Sequence, residues 1–193
     1  MRIITGSARG CRLKTPKGQA TRPTSDRIKE SLFNILGQKV YGRKVLDIFA
    51  GTGNLGLEAL SRGAASACFV DQATAALIRE NAVHTRLQDK AAVHGCDVFA
   101  QLSRFAQGGE SFDLIFCDPP YHKGLAWRAL TFFDESLVLA HAGILVVEHG
   151  VDENDMPELS ELRCVLNRRY GRTTQLSFFQ RKAYLKEIEE AEQ

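Results

Sequence analysis

Residues 44–63 read "KVLDIFAGTGNLGLEALSRG". Apolar, β-prone residues run up to an acid, Asp47; a glycine-rich turn follows, and then a stretch with helical spacing that stops at Gly63. A strand, a tight turn and a helix in direct succession are the opening of a parallel sheet covered by helices. Downstream the alternation continues. "ACFVD" reads as a strand, about Ala73 to Leu87 as a helix and "AAVHG" as a short strand. A helix starts at about Val98; the strand "FDLIFCD", a helix from about Leu125 to Leu139 and the strand "GILVVEHG" follow. Then the regime changes. After a Pro- and acid-rich connector, "LRCVLNRRYGRTTQLSFFQRK" holds two extended runs joined at Tyr170-Gly171, with no room for a crossover helix, so they pair antiparallel.

Upstream, "RIITGSARGCRLKTP" reads as a small β-hairpin. "RPTSDRIKESLFNILG" offers Thr24 or Ser25 as an N-cap, apolar Ile28, Leu32, Ile35 and Leu36 at helical spacing, and Gly37 as the stop. The tail "KEIEEAEQ" is polar and frays or forms a short solvated helix. The expected architecture is a single α/β domain over residues 1–193: a basic arm (1–22), a Rossmann-like fold (23–182) and a charged tail (183–193).

The chain has 193 residues, of which 44% are hydrophobic and 25% charged, in the range of one globular domain. Its longest apolar runs are strand-length, so neither a transmembrane helix nor a signal peptide is expected, and the chain reads as cytoplasmic. The five cysteines lie far apart without a C-x-x-C pair, which suggests neither zinc nor disulfides. The net charge of +2 conceals an asymmetry: residues 1–29 carry +7 and the remainder −5. A positive arm on a mildly acidic body suits a polyanion, because neutralising phosphates releases condensed counterions. Arg9, Arg12, Lys14, Lys17 and Arg27 are the candidate RNA contacts.

Gly51, Gly53 and Gly56 match G-x-G-x-x-G, and Asp71 ends the next strand, which together form the dinucleotide fingerprint. Asp47 argues against a pyrophosphate. Two like charges about 4 Å apart repel by about 4 kcal/mol at an effective dielectric of 20. S-adenosylmethionine has no phosphate but carries an ammonium and a sulfonium, so an acid beside the glycine turn attracts it. Asp71 is placed to accept ribose hydroxyls or to cap the next helix. Asp97, in "GCDVF", either caps a helix or accepts the adenine amine while Val98 or Phe99 packs on the ring.

"DPPY", residues 118–121, follows the fourth strand and so opens at the carboxyl edge, where open α/β sheets bind ligands. An exocyclic nucleobase amine is a poor nucleophile, and no side-chain base removes its proton first. Geometry helps instead: with Asp118 and the Pro119 carbonyl accepting both N–H bonds, the lone pair is aimed and the developing positive charge is stabilised. Pro119 and Pro120 fix φ and remove donors. Tyr121 supplies a stacking face. His122 reads as a bystander, Glu148 as structural and Trp127 as helix core.

"DPPY" resembles the catalytic motif of amino-methyltransferases. Together with "RIITGSARGCRLKTP", "RPTSDRIKESLFNIL" and "DIFAGTGNLGLEALSRGA", it makes residues 2 to about 182 closely similar to the RsmD family of bacterial 16S rRNA guanine-N2 methyltransferases. The resemblance implies a seven-stranded, mostly parallel sheet with an antiparallel last strand, and S-adenosylmethionine as methyl donor without metal. It implies guanine 966 of 16S rRNA in the assembled small subunit as substrate; the chain is expected to act as a monomer. It places Asp47, Phe49, Gly51, Gly53, Asp71, Asp97 and Val98 at the cofactor, Thr24 and Arg22 near it, and Asp118, Pro119, Pro120 and Tyr121 at the chemistry. Several relatives carry a second acid after the second-strand one; here Gln72 follows Asp71. Three other readings stay open: a DNA adenine-N6 or cytosine-N4 methyltransferase, a nicotinamide oxidoreductase, and a non-catalytic ribosome-assembly factor.

Overall fold

A computed structural model describes residues 1–16 and 26–191. The expected helix cap at Thr24 or Ser25 lies outside the described residues. The chain divides into two compact units, Met1–Gln101 and Leu102–Gln193; three strands belong to the first and four to the second, seven in all among the described residues.

The first unit contains α1 (Asp26–Leu36), β1 (Lys44–Ile48), α2 (Asn54–Ser61), β2 (Ser66–Val70), α3 (Ala75–His84) and β3 (Ala91–His94); α4 (Val98–Gln107) carries the chain into the second. Its strands lie in the order β3-β2-β1. Both pairs are parallel, with Leu46 opposite Cys68 and Val70 opposite His94. Val45, Leu46, Ile48, Phe69 and Val70 are all fully buried, which is why these strands read as continuous apolar runs rather than alternating ones. Helix α3 is shorter than expected. The Asp71 carboxylate holds Ala73 and Thr74 ahead of its first turn, and Arg86 ends it with a positive φ, where glycine usually sits.

The buried stripe of α1 is Lys29, Leu32, Phe33 and Leu36, rotated from the expected Ile28, Leu32, Ile35 and Leu36. A lysine is in the core because its partner is there too. Lys29 Nζ lies 3.0 Å from Glu58 Oε2, both side chains fully buried, and donates to the Arg2 carbonyl and Asn54 Oδ1. Burial lowers the Lys29 pKa, and Glu58 opposes that shift. Glu58 also accepts the backbone N–H groups of Ile4 and Thr5 and the Arg62 Nε. The N-terminal segment is therefore not a projecting arm. It closes into a hairpin through an Arg2–Arg12 bridge, buries Ile3, Ala8 and Leu13, and is stapled to α2. Gly6 meets α2 so closely that a Cβ there would lie 1.8 Å from the Ser61 carbonyl oxygen.

The second unit contains β4 (Phe112–Cys117), α5 (Leu125–Glu135), β5 (Leu139–Gly150), β6 (Leu162–Tyr170), β7 (Thr174–Arg181) and α6 (Lys182–Ala191), with strand order β4-β5-β7-β6. β4 and β5 are parallel, and β7 is antiparallel to both of its neighbours. β7 is thus the reversed strand, as expected. Helix α5 stops four residues before the expected Leu139. Arg181 donates to the carbonyls of Ser136 and Leu139, and Leu139 pairs with Phe112 before a bulge shifts the register to Leu114–Ile144. The sheet, not the helix, captures this segment. The β5–β6 connection is irregular, and Asp134 anchors its end by accepting the N–H groups of Ser160, Glu161 and Leu162. Among the described residues no helix is long and apolar enough to cross a membrane.

Candidate active site

The turn after β1 owes its shape to three left-handed residues, Phe49, Gly51 and Gly53 (φ 56°, 57° and 77°). Phe49 is the informative one, because a bulky side chain is rarely found there and such strain gathers at ligand sites. A Cβ on Gly51 would meet only the Phe49 carbonyl, at 4.0 Å, so this glycine borders open space. Gly56 differs: a Cβ there would lie 2.3 Å from the Phe69 ring, so this glycine seats α2 against β2.

The N–H groups of all three glycines are already used. Gly51 donates to Asp71 Oδ2 at 2.9 Å, Gly53 to the Ala50 carbonyl at 2.8 Å and Gly56 to Asp47 Oδ2 at 2.8 Å. A dinucleotide fold presents such donors to pyrophosphate; here two of them face carboxylates. Asp47 is buried, and burial, partly offset by the Gly56 N–H and reinforced by Asp71, pushes its carboxyl up to about 8. A cation arriving beside it would favour the ionised form.

Asp71 has two roles at once. Oδ2 braces the glycine turn and Oδ1 accepts Ala73 and Thr74. Asp97 is exposed, and its Oδ1 caps α4 by accepting the Ala100 N–H. Val98 is 5% exposed and belongs to the core. Phe99 is the residue placed near the turn, its ring 6.1 Å from that of Phe49 in an edge contact. Phe49, Gly51, Gly53, Asp47 and Asp71 are thus gathered at the carboxyl ends of β1 and β2, with Asp97 at that of β3. Arg22, Thr24 and Lys17 lie outside the described residues.

In the second unit the turn after β4 holds Asp118 half-buried, Pro119 buried, Pro120 exposed and Tyr121 half-buried. The Tyr121 hydroxyl donates to Glu148 Oε1 at 2.7 Å and lies 3.2 Å from Thr174 Oγ1. Burial and the neighbouring Glu148 carboxylate hold the phenol protonated, far above its usual range. The ring is therefore locked against β5 and β7. Glu148 is structural, as expected, and its work is to orient Tyr121. His122, with a positive φ, donates its N–H to Glu153 and is exposed. Trp127 is half-buried rather than core; its ring lies 4.6 Å from that of His149.

Of the candidate RNA contacts, Arg9, Arg12 and Arg27 are exposed, while Lys14 pairs with Glu80 at 2.9 Å. Asn81 was not anticipated. Fully buried, it binds both backbone groups of Lys14 and the Thr52 carbonyl, tying the N-terminal hairpin to the glycine turn. Among the described residues no cluster of His, Cys, Asp or Glu is arranged to hold a metal.

Comparison with known proteins agrees with this arrangement. Residues 1–180 match the family model "Conserved hypothetical protein 95". The ribosomal RNA small subunit methyltransferase D of Escherichia coli K12 is 36% identical, covering 81% of this chain and 78% of its own length. That of Haemophilus influenzae is 36% identical over 79% of this chain and 80% of its own. Among solved structures, hypothetical protein TTHA0928 of Thermus thermophilus superposes with a TM-score of 0.78 at 32% identity, covering 93% of this chain and 99% of its own. A glycine turn braced by acids, a "DPPY" turn with its tyrosine locked and a family match spanning both units lead to one conclusion: this chain belongs to the RsmD family of rRNA methyltransferases.

Proposed function

We propose that this chain transfers a methyl group from S-adenosylmethionine to the exocyclic N2 amine of a guanine in small-subunit rRNA. By its family the target is guanine 966 of 16S rRNA, in the assembled subunit, and the enzyme acts as a cytoplasmic monomer. One observation carries the choice of donor: the glycine N–H groups that would cradle a pyrophosphate are spent, on Asp71 and Asp47 in two cases out of three. What this leaves suits a cationic, phosphate-free ligand. When bound, S-adenosylmethionine would supply an electrophilic methyl on a sulfonium, the electron pair of the broken methyl–sulfur bond staying with the neutral thioether of the product S-adenosylhomocysteine.

The first unit holds the donor. Asp47 ionises toward the ammonium, Asp71 accepts a ribose hydroxyl with its remaining lone pairs, and Phe49 and Phe99 border the adenine, with Asp97 toward its amine. The second unit grips the acceptor. Asp118 and the Pro119 carbonyl receive the two N–H bonds of the amine, so its lone pair points outward and the positive charge developing on nitrogen is met by fixed acceptors. Tyr121, unable to rotate away, offers its face to the base. The proton leaving the methylated amine passes to the Asp118 carboxylate.

The test supplies tritiated methyl donor to undermethylated small subunits, deproteinised rRNA and plasmid DNA in parallel, followed by digestion to nucleosides. Label in N2-methylguanosine from the subunits is expected. Label confined to DNA, or absent from every nucleoside, refutes the assignment.

A further inference from the structure

We propose that the turn end of the β6–β7 hairpin is a second RNA-contact surface, in which Arg168, Arg169 and Arg172 bind phosphates of the strand flanking the target nucleotide. The inference rests on the rRNA reading above and adds a contact in the unit that carries Asp118.

Residues 162–182 hold six basic side chains and no acid. Three of the six have structural work. Arg163 pairs with Glu189, Arg181 holds the Ser136 and Leu139 carbonyls, and Lys182 donates to the Leu159 carbonyl. The other three, Arg168, Arg169 and Arg172, are exposed, and among the described residues no carboxylate pairs with them. Acids are close in sequence: the preceding connector, residues 151–161, carries five. Yet the one nearest the catalytic turn, Glu153, spends its oxygens on the backbone N–H groups of His122 and Gly150. Among the described residues the three arginines have no carboxylate partner, although acids lie close to them in sequence.

An edge strand such as β6 often carries charge to prevent strand addition. That role would spread charge along the strand. Here the half of β6 away from the turn, Leu162–Asn167, has only Arg163, and that one is paired. The cluster instead gathers where the hairpin meets the catalytic turn. Arg168 stands opposite Leu176 and Tyr170 opposite Thr174, and alternation puts all four on one face. Thr174 is the residue whose Oγ1 lies 3.2 Å from the Tyr121 hydroxyl. A strand whose base is gripped by Asp118 and faced by Tyr121 has its neighbouring phosphates within the compass of this hairpin end. Arg169 is held by its own Nε bond to the Gly171 carbonyl, which stiffens the turn. Arginine, with a planar fork of donors, is the residue suited to phosphate.

The experiment measures association of undermethylated small subunits with the full chain across a salt series, comparing wild type with R168Q/R169Q/R172Q. Each lost single-strand phosphate contact lowers the slope of log K against log salt by about 0.7, so a decrease of about 2 is expected. The KM for subunits should rise roughly tenfold, while affinity for S-adenosylmethionine is retained. The R168K/R169K/R172K variant keeps the charge and should restore the slope. The single R172Q change, at an exposed turn, covers a triple variant that fails to fold and should lower the slope by about 0.7. Methylation by all variants with an unchanged slope and KM overturns the hairpin contact and leaves the rRNA reading standing. A lowered slope with no methylated nucleoside from wild type would do the reverse.

Discussion

The turns after β1 and β4 both open at the carboxyl ends of parallel strands, and they are built on opposite principles. The first is made of backbone freedom. Phe49, Gly51 and Gly53 take left-handed conformations, and Asp71 accepts the N–H of Gly51 while Asp47 accepts that of Gly56 in α2. The second is made of restriction: Pro119 and Pro120 have fixed φ and no N–H, and Tyr121 is tied down through its hydroxyl. One turn neutralises its own donors with acids; the other has donors removed covalently. Both arrive at a surface rich in acceptors, which is what the proposed pair of substrates, a cationic donor and an amine acceptor, share as a requirement. The lesson is that a glycine fingerprint names a backbone shape, and the acids around it decide which ligand charge that shape tolerates.

The sharpest way to break the comparison is Asp118→Ala. If the second turn works by fixed acceptors, the methylation kcat should fall by about 10² to 10³, while calorimetry finds donor affinity unchanged. A loss of donor binding instead would mean that the two turns do not divide the labour. Next is Tyr121→Phe, which removes the bond to the Glu148 carboxylate. A cost of about 1.5–3 kcal/mol in urea unfolding is expected, and an unchanged midpoint would show the turn to be held by its prolines alone.

In the first turn, Gly56→Ala forces a methyl into the Phe69 ring. Overpacking of this kind costs about 1–3 kcal/mol, readable as a lowered unfolding midpoint. Gly51→Ala would instead be resisted by its φ and not by its neighbours. The pH dependence of stability concerns Asp47. Its carboxyl is raised to about 8, so between about pH 4 and pH 8 the folded chain keeps a proton that the unfolded chain has lost. Stability of the ligand-free protein should therefore fall as pH rises through that window and level off above it. Asp47→Asn should flatten the trend; a variant with the same pH dependence as wild type would remove Asp47 as its source.

Much of the architecture was legible because period and punctuation agreed. Strands buried on both faces read as unbroken apolar runs, and Gly63 and Gly37 marked where helices end. The reversed β7 followed from the lack of space for a crossover at Tyr170-Gly171. Failures came where tertiary partners overrode local pattern. The end of α5 was misplaced because Leu139 pairs with Phe112, a contact distant in sequence. Lys29 belongs to the +7 of residues 1–29, yet it is buried against Glu58. A signal for that pair was present: between Asn54 and Ser61 the sequence of α2 is apolar except for Glu58, and a charge in such a helix needs a buried counter-charge. Capping is the alternative reading for Asp71 and Asp97: Asp97 does cap α4, whereas Asp71 holds the turn ahead of α3 with one oxygen and braces Gly51 with the other. Asn81 left no trace in local pattern, since its partners, Lys14 and Thr52, are far away along the chain.

The grip of Glu58 on Ile4 and Thr5 bears on how the N-terminal basic residues should be studied. Cutting away the first fourteen residues would strip a buried carboxylate of two N–H donors and Lys29 of the Arg2 carbonyl, and each buried polar group left unsatisfied costs about 1–3 kcal/mol, more where it is charged. A truncated protein that no longer associates with ribosomal particles would then report a collapsed first unit, whatever those arginines do. Charge-removing changes at Arg9 and Arg12, which leave the staple whole, separate adhesion from integrity.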